Sequence, residues 1–147
     1  MPYLIDTNAL IRLVVRADLE HAIIRVALNR LQQQGEMRYY TPQNAVEFWS
    51  VCTRPATARG GYGMSLKQAN HNARLFERIL TLLPDSPAVH GEWRRLVVAQ
   101  GVSGVQVHDA RLVAFMQVYN VTHILTLNTK DFTRYPGIIA VHPAHVT

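Results

Sequence analysis

Five residues spread along the chain, Asp6, Glu47, Asp109, Asn128 and Asp131, carry side-chain oxygens of the kind that hold a hard cation. Taken singly, each has an ordinary explanation. Asp6 and Asp109 stand where a short acid caps a helix start, Glu47 could be a solvated helix residue, and Asn128-Thr129-Lys130-Asp131 has the composition of a turn. Together those explanations weaken, because Glu47 sits among Ala45, Val46, Phe48, Trp49 and Val51 and would be an acid in apolar company. Carboxylates gathered in a partly buried place repel one another unless positive charge sits among them. Mg²⁺ or Mn²⁺ suits such an all-oxygen set, and zinc does not. A divalent ion reverses the local field, lowers the pKa of a bound water and stabilises charge growing on phosphate oxygens. The implied chemistry is hydrolysis of a nucleic-acid backbone. Arg54, Arg59 and Lys130 could hold neighbouring phosphates, or be solvated surface charges.

The elements that position these residues are legible from periodicity. Pro2 to Ile5 is an apolar run that reads as a buried strand, and it opens through Asp6-Thr7-Asn8 into a helix with Leu10, Ile11, Leu13 and Val14 at helical spacing. A second helix is expected from Asp18 to Gln34, ended by Gly35, and Met37 to Tyr40 is a second strand. Thr41-Pro42 is a cap followed by proline at the first helical position. The helix it starts runs through Val46, Trp49 and Val51 and stops before Pro55. Arg54 to Gly63, with Pro55, Gly60, Gly61 and Gly63, reads as a mobile basic loop. Ser65 with Gln68 matches a capping box for a helix through Ile79, and Ser86-Pro87 starts another that Gly101 ends. A helix from Asp109 to Tyr119 turns Ala110, Val113, Ala114 and Met116 inward. Thr81 to Leu83, Thr122 to Leu127 and Ile138 to Val141 complete the strands. Strands alternating with helices pair in parallel through crossovers, so the fold class is α/β. The expected architecture is a three-layer α/β/α sandwich on a mostly parallel sheet, with residues 1–147 as a single domain. In such sheets the functional crevice lies beyond the carboxyl ends of the strands, where Asp6 and Asn128 fall.

The bulk composition narrows the classes further. A hydrophobic fraction of 48% with 17% charged residues is that of a folding globular chain. No run is long and apolar enough to span a bilayer, and the N-terminus lacks a basic, apolar leader, so a soluble, unexported chain is expected. Cys52 is the single cysteine, which excludes an internal disulfide and suits the cytoplasm; it reads as core filler, as do Trp49 and Trp93. Lys and Arg number 15 against 10 Asp and Glu, a net charge of +5, which favours a polyanionic partner. Of the seven histidines, His142-Pro143-Ala144-His145 has close spacing, but its proline and tail position argue against a formed metal site. His108 reads as a surface or packed residue. There is no phosphate-binding glycine loop or nucleophile elbow.

Four segments, in order, resemble the successive motifs of PIN-domain, VapC-type toxins: Leu4-Ile5-Asp6-Thr7-Asn8-Ala9-Leu10, Thr41 to Phe48, His108-Asp109-Ala110, and Leu125 to Phe132. The resemblance spans residues 4 to 132. It implies a Mg²⁺- or Mn²⁺-dependent endoribonuclease acting on RNA, in which Asp6, Glu47 and Asp109 bind the metal directly or through water, and Thr7, Asn8 and Thr126 orient carboxylates or water. Many relatives carry an acid where this chain has Asn128, so Asn128 and Asp131 both stand as the fourth position. The resemblance also implies a homodimer and a cognate antitoxin, together forming a heterotetramer or larger, whose tail fills the groove. Leu10, Val14 and Ile24 are candidates for those contacts, or ordinary core. Two other functions compete. An inactive RNA-binding module would use only the basic surface, and Asn128 favours it. A phosphoaspartyl hydrolase or receiver-like domain would use Asp6 as nucleophile, but Asn8 stands where its second aspartate belongs.

Overall fold

The computed structural model describes all residues from Met1 to Thr147. Five strands, β1 (Tyr3–Ile5), β2 (Arg38–Tyr40), β3 (Thr81–Leu82), β4 (His123–Leu125) and β5 (Ile139–Val141), form one sheet in the order β3-β2-β1-β4-β5. Every neighbouring pair is parallel, with Leu4 opposite both Tyr39 and Ile124. Six helices accompany them: α1 (Thr7–Val14), α2 (His21–Gln33), α3 (Pro42–Thr53), α4 (Leu66–Ile79), α5 (Pro87–Ala99) and α6 (Val107–Val118).

The two-residue alternation of a strand explains the layers. Leu4 and Ile124 turn to one face of the sheet and meet α5 and α6, while Ile5 and Leu125 turn to the other and meet α1 to α4. All four side chains are fully buried, and burial on that scale contributes about 1.5–3 kcal/mol each. The result is the expected α/β/α sandwich, with a fully parallel sheet. Strand order reverses at β1, so the carboxyl ends of β1 and β4 flank the switch point where open α/β sheets form their crevice.

Helix starts follow the cap signals. Thr41, Ser65 and Ser86 each accept a hydrogen bond from the backbone three residues on. At Thr41 the box is reciprocal, since Asn44 Oδ1 accepts from both the Thr41 N–H and its hydroxyl at 2.9 and 2.8 Å. At Ser65 only the serine half forms.

Several expectations needed correction. α2 begins at His21 rather than Asp18, because the Asp18 carboxylate accepts from the Glu20 N–H and holds a turn ahead of the helix. β4 ends at Leu125 because the N–H groups of Leu127 and Asn128 leave the ladder for the side chains of Asn8 and Thr126. Val46 is 69% exposed, and α3 instead buries Asn44, Phe48 and Cys52. Trp49 and Trp93 are only half-buried; the Trp93 indole donates to Val107 O at 2.9 Å. α6 is buried further round than an amphipathic stripe, including Leu112 and Phe115, because it is wedged between the sheet and α5. Leu10 and Ile24 are fully buried in the first core cluster and are not available to a partner; Val14 is half-buried at its edge. No helix is long and apolar enough to cross a membrane.

The stretch after α3 closes on that helix, with the Gly63 N–H donating to Arg54 O and the Met64 N–H to Cys52 O, each at 2.8 Å. Gly61 is required there: a Cβ would lie 2.2 Å from Pro55 O and 2.7 Å from Arg54 O.

Thr41 lies fully buried at the junction of β2 and α3, so Thr41→Ala is expected to cost about 1–2 kcal/mol through the lost cap. Denaturant unfolding that leaves the midpoint unchanged would contradict this account of α3.

Candidate active site

Asp6 follows the last residue of β1 and is both the N-cap of α1 and a wall of the crevice. It is buried, at 7% exposure. One carboxylate oxygen accepts from the Thr7 N–H at 2.7 Å, and the other from the Thr126 hydroxyl at 2.7 Å and the Asn8 amide at 3.3 Å. Thr126 Oγ1 also accepts from the Asn8 amide (3.3 Å) and the Asn128 N–H (3.0 Å), which ties the ends of β1 and β4 together. Despite these donors, burial pushes Asp6 up to about 6, with the carboxylates of Glu47 and Asp131 adding to the rise.

Glu47 projects from α3 with each oxygen engaged by a neutral donor. Thr7 Oγ1 donates to Oε2 at 3.1 Å, and the Gln43 amide to Oε1 at 2.7 Å. Asn44, fully buried one turn back, donates to Thr7 Oγ1 at 3.0 Å, so the threonine hydroxyl proton is directed at Glu47. Gln43 also donates to His108 O, and its own Oε1 accepts from Arg111, which pairs with Asp85 at 2.8 Å.

Asp109 stands in the first turn of α6 but caps nothing, since no side chain caps that helix. Burial pushes it up to about 7, with the carboxylates of Asp6, Asp131 and Glu47 each raising it further. Asn128 and Asp131 come from the 3-10 turn region after β4, and both are exposed. Asp6, Thr7, Asn8, Glu47, Asp109, Asn128 and Asp131 all line one open cavity of about 370 Å³. The sequence-based set therefore converges, Thr126 lying just behind Asp6. None of the four acids forms an ion pair; the pairs that do form use Glu36, Asp18, Glu92 and Asp85.

The three basic residues expected around the acids lie outside that cavity. Arg54 folds back and donates to Arg59 O at 2.7 Å, Arg59 is exposed beside Gly60, and Lys130 flanks an adjoining hollow with Asn128 and Asp131. The cation that does line the cavity is Arg12, 3.6 Å from Asp18. Arg12, Gln43 and Asn44 were missed by the sequence reading, although Asn8/Arg12 and Gln43/Glu47 share the i, i+4 spacing that makes helical neighbours.

The donor set fits a hard divalent cation. It is all oxygen, it is held by orienting hydrogen bonds, and it carries mutual repulsion that a cation would relieve. No three of the acidic side chains stand together as a direct ligand set; an ion seated among them would take the rest of its shell from water, as Mg²⁺ readily does.

A parallel α/β sandwich with an acidic crevice at its switch point is the class of protein that fold and site define. The chain belongs to the PIN domain family, whose model matches residues 3–138. No curated protein matches the sequence. Among solved structures, it is similar to VapBC2 from Rickettsia felis bound to a promoter DNA fragment (TM-score 0.69, 16% identity, 97% of this chain and 98% of that one). FitAcB from Neisseria gonorrhoeae is similar too (0.67, 16%, 97% and 99%). So is VapC20 from Mycobacterium tuberculosis, described as a Sarcin-Ricin loop cleaving toxin (0.65, 13%, 88% and 92%). At these identities the likeness is one of fold.

The raised acids make a pH prediction. A carboxyl whose native pKa stands above its ordinary value of 3.8 stabilises the fold fully below that value, and the contribution is lost as pH climbs towards about 7. In EDTA, Asp109→Asn should melt above the wild type near pH 8, with the gap closing near pH 4. Added Mg²⁺ should raise the wild type more than the variant. Parallel melting curves across that range would mean that neither burial nor the neighbouring carboxylates raise Asp109.

Proposed function

We propose that this chain is a Mg²⁺- or Mn²⁺-dependent endoribonuclease that acts as the toxin of a toxin–antitoxin pair. One observation carries the reading: in a PIN-family chain of net charge +5, four carboxylates without any ion pair line the crevice at the sheet's switch point. A closed structural network would have paired them with arginines.

Asp6, Glu47 and Asp109 would hold the ion, directly or through water, with Asn128 and Asp131 completing the rim. Bound there, it would supply a water of lowered pKa and stabilise charge on the non-bridging and leaving oxygens of a phosphodiester. The remaining work belongs to the chain itself. Thr7, Asn8 and Thr126 fix the Asp6 carboxylate by donating to it, so it does not reorganise when substrate arrives. Gln43 and Thr7 hold both Glu47 oxygens in place. Arg59 and Lys130, exposed near the crevice, would meet flanking phosphates, while Arg54 stiffens the loop that carries Arg59.

The toxin role is supported by fold neighbours described as toxin–antitoxin complexes, from Klebsiella pneumoniae among others. By that analogy the partner is an antitoxin, the chain self-associates as a homodimer within a heterotetramer or larger assembly, and residues 1–147 act as one domain in the cytoplasm. The competing reading, an RNA-binding module without activity, keeps one feature in its favour, Asn128 at a rim position where an acid would strengthen the site.

Purified protein freed of any partner should cut RNA in Mg²⁺ or Mn²⁺ and stop in EDTA. Asp6→Asn and Asp109→Asn should each lower the rate by at least about 100-fold with folding retained. RNA bound but uncut at every metal concentration would leave the binding module standing, and acid-stable phosphorylation of Asp6 would favour the receiver-like reading.

Gln43→Ala offers a milder probe, because it frees one Glu47 oxygen without removing a carboxylate. A fall in rate of about tenfold, partly offset by raised Mg²⁺, is expected. An unchanged metal dependence would remove Gln43 from the site.

A further inference from the structure

Tyr62 is a wall of two hollows. One is the acidic crevice; the other is a groove of about 520 Å³ between the end of α1 and the start of α4. Its volume falls within the range of small-molecule pockets, about 300–1,000 Å³. The groove combines an apolar floor, Val14, Val15 and Met64, with two amide side chains, Gln68 and Asn72. Asn72 is 7% exposed, and its amide nitrogen donates to Met64 Sδ at 3.3 Å, a weak acceptor, while no hydrogen bond engages its Oδ1. That oxygen reaches solvent at the groove, where a ligand's polar edge can replace water. Arg16 stands exposed at one side, at the end of α1, and His71 is exposed at the other, on α4. Arg16 forms no ion pair.

The geometry points to this groove as the seat of an unpaired nucleotide next to the scissile phosphate, an inference that rests on the ribonuclease reading above. An unstacked base needs a flat apolar surface, amides that meet its hydrogen-bonding edge and a cation for its phosphate. Tyr62 and the apolar floor supply the first, Gln68 and Asn72 the second, and Arg16 the third, with the His71 ring beside it as a further hydrogen-bonding group. A paired strand keeps its bases in the stack and cannot enter. The groove therefore takes only an unstacked nucleotide, and it, rather than the crevice, selects which nucleotide flanks the cut. Gly61 fixes where Tyr62 stands, since the backbone there passes too close to Pro55 and Arg54 for any side chain.

The test uses an RNA stem–loop cut by the wild type, with 4-thiouridine placed in turn at each loop position and irradiated on Asp109→Asn protein in Mg²⁺. An adduct within the Gly60 to Asn72 stretch is expected from one position beside the cut. Tyr62→Leu and Gln68→Ala should each lower kcat/KM on the loop by about tenfold or more. Tyr62→Phe, which keeps the ring, should lose less than Tyr62→Leu, and Gln68→Ala should also relax the preference at that one nucleotide. Because Gln68 is exposed at the start of α4, its variant folds whether or not Tyr62→Leu does. Adducts elsewhere with unchanged rates in Gln68→Ala would overturn the inference and leave the nuclease intact. So would equal cutting of the fully paired form, or a Gln68→Ala protein that cuts normally but loses a protein partner. Failure to cut any RNA in any metal would overturn both readings together.

Discussion

A carboxylate taken out of water is the constraint around which the crevice is built. Asp6 is buried at the end of a central strand, where an ionised group is costly unless donors surround it. The chain supplies them from two places at once, the first turn of α1 and the end of β4, so Asp6 becomes the knot between the two strands at the switch point. Those donors are all neutral. They orient the charge without cancelling it, which leaves the crevice short of positive charge. An arginine in the same position would have closed the account electrostatically and left nothing for a cation or a phosphate to complete.

The same logic extends outward. Glu47 is held by an amide and a hydroxyl, and those are held in turn by Asn44, Arg111 and Asp85, so a single string of hydrogen bonds runs from the buried cap at Thr41 to the rim of α6. Charge pairs appear only where the string reaches the surface. Arg111 also lies 5.1 Å from the ring centre of Phe115, which anchors the string in the second core cluster. Folding stability and carboxylate placement thus share the same bonds.

Much of the fold was legible because its signals are local. The period-two alternation around Leu4 and Ile5, the caps at Thr41, Ser65 and Ser86, and the glycine that ends α2 each report on a few neighbouring residues. The acids were legible as a set because carboxylates in apolar company in a basic chain call for an explanation. What escaped was rotational. Which face of α3 turns inward depends on α1 and the sheet, so Trp49 was read as core and Asn44 passed unremarked. Arg12 escaped for the same reason: its direction is set by the angle at which α1 leaves Asp6. Leu10 and Ile24 were ambiguous between partner surface and core, since an apolar face looks the same in sequence whichever protein covers it. Asp6 and Asp109 had the same local signature of a helix-start acid, and only coordinates separate the one that caps from the one that does not.

Gly61 sets a limit on how this protein can diverge. Its backbone runs against the carbonyls of Pro55 and Arg54 at a distance that admits hydrogen alone, so the path of the loop is fixed while the exposed side chains before it, those of Ala56 and Thr57, do not set that path. Descendants of this chain can therefore repaint the outer lip of the crevice, altering its charge and reach, without moving the ring of Tyr62 behind it.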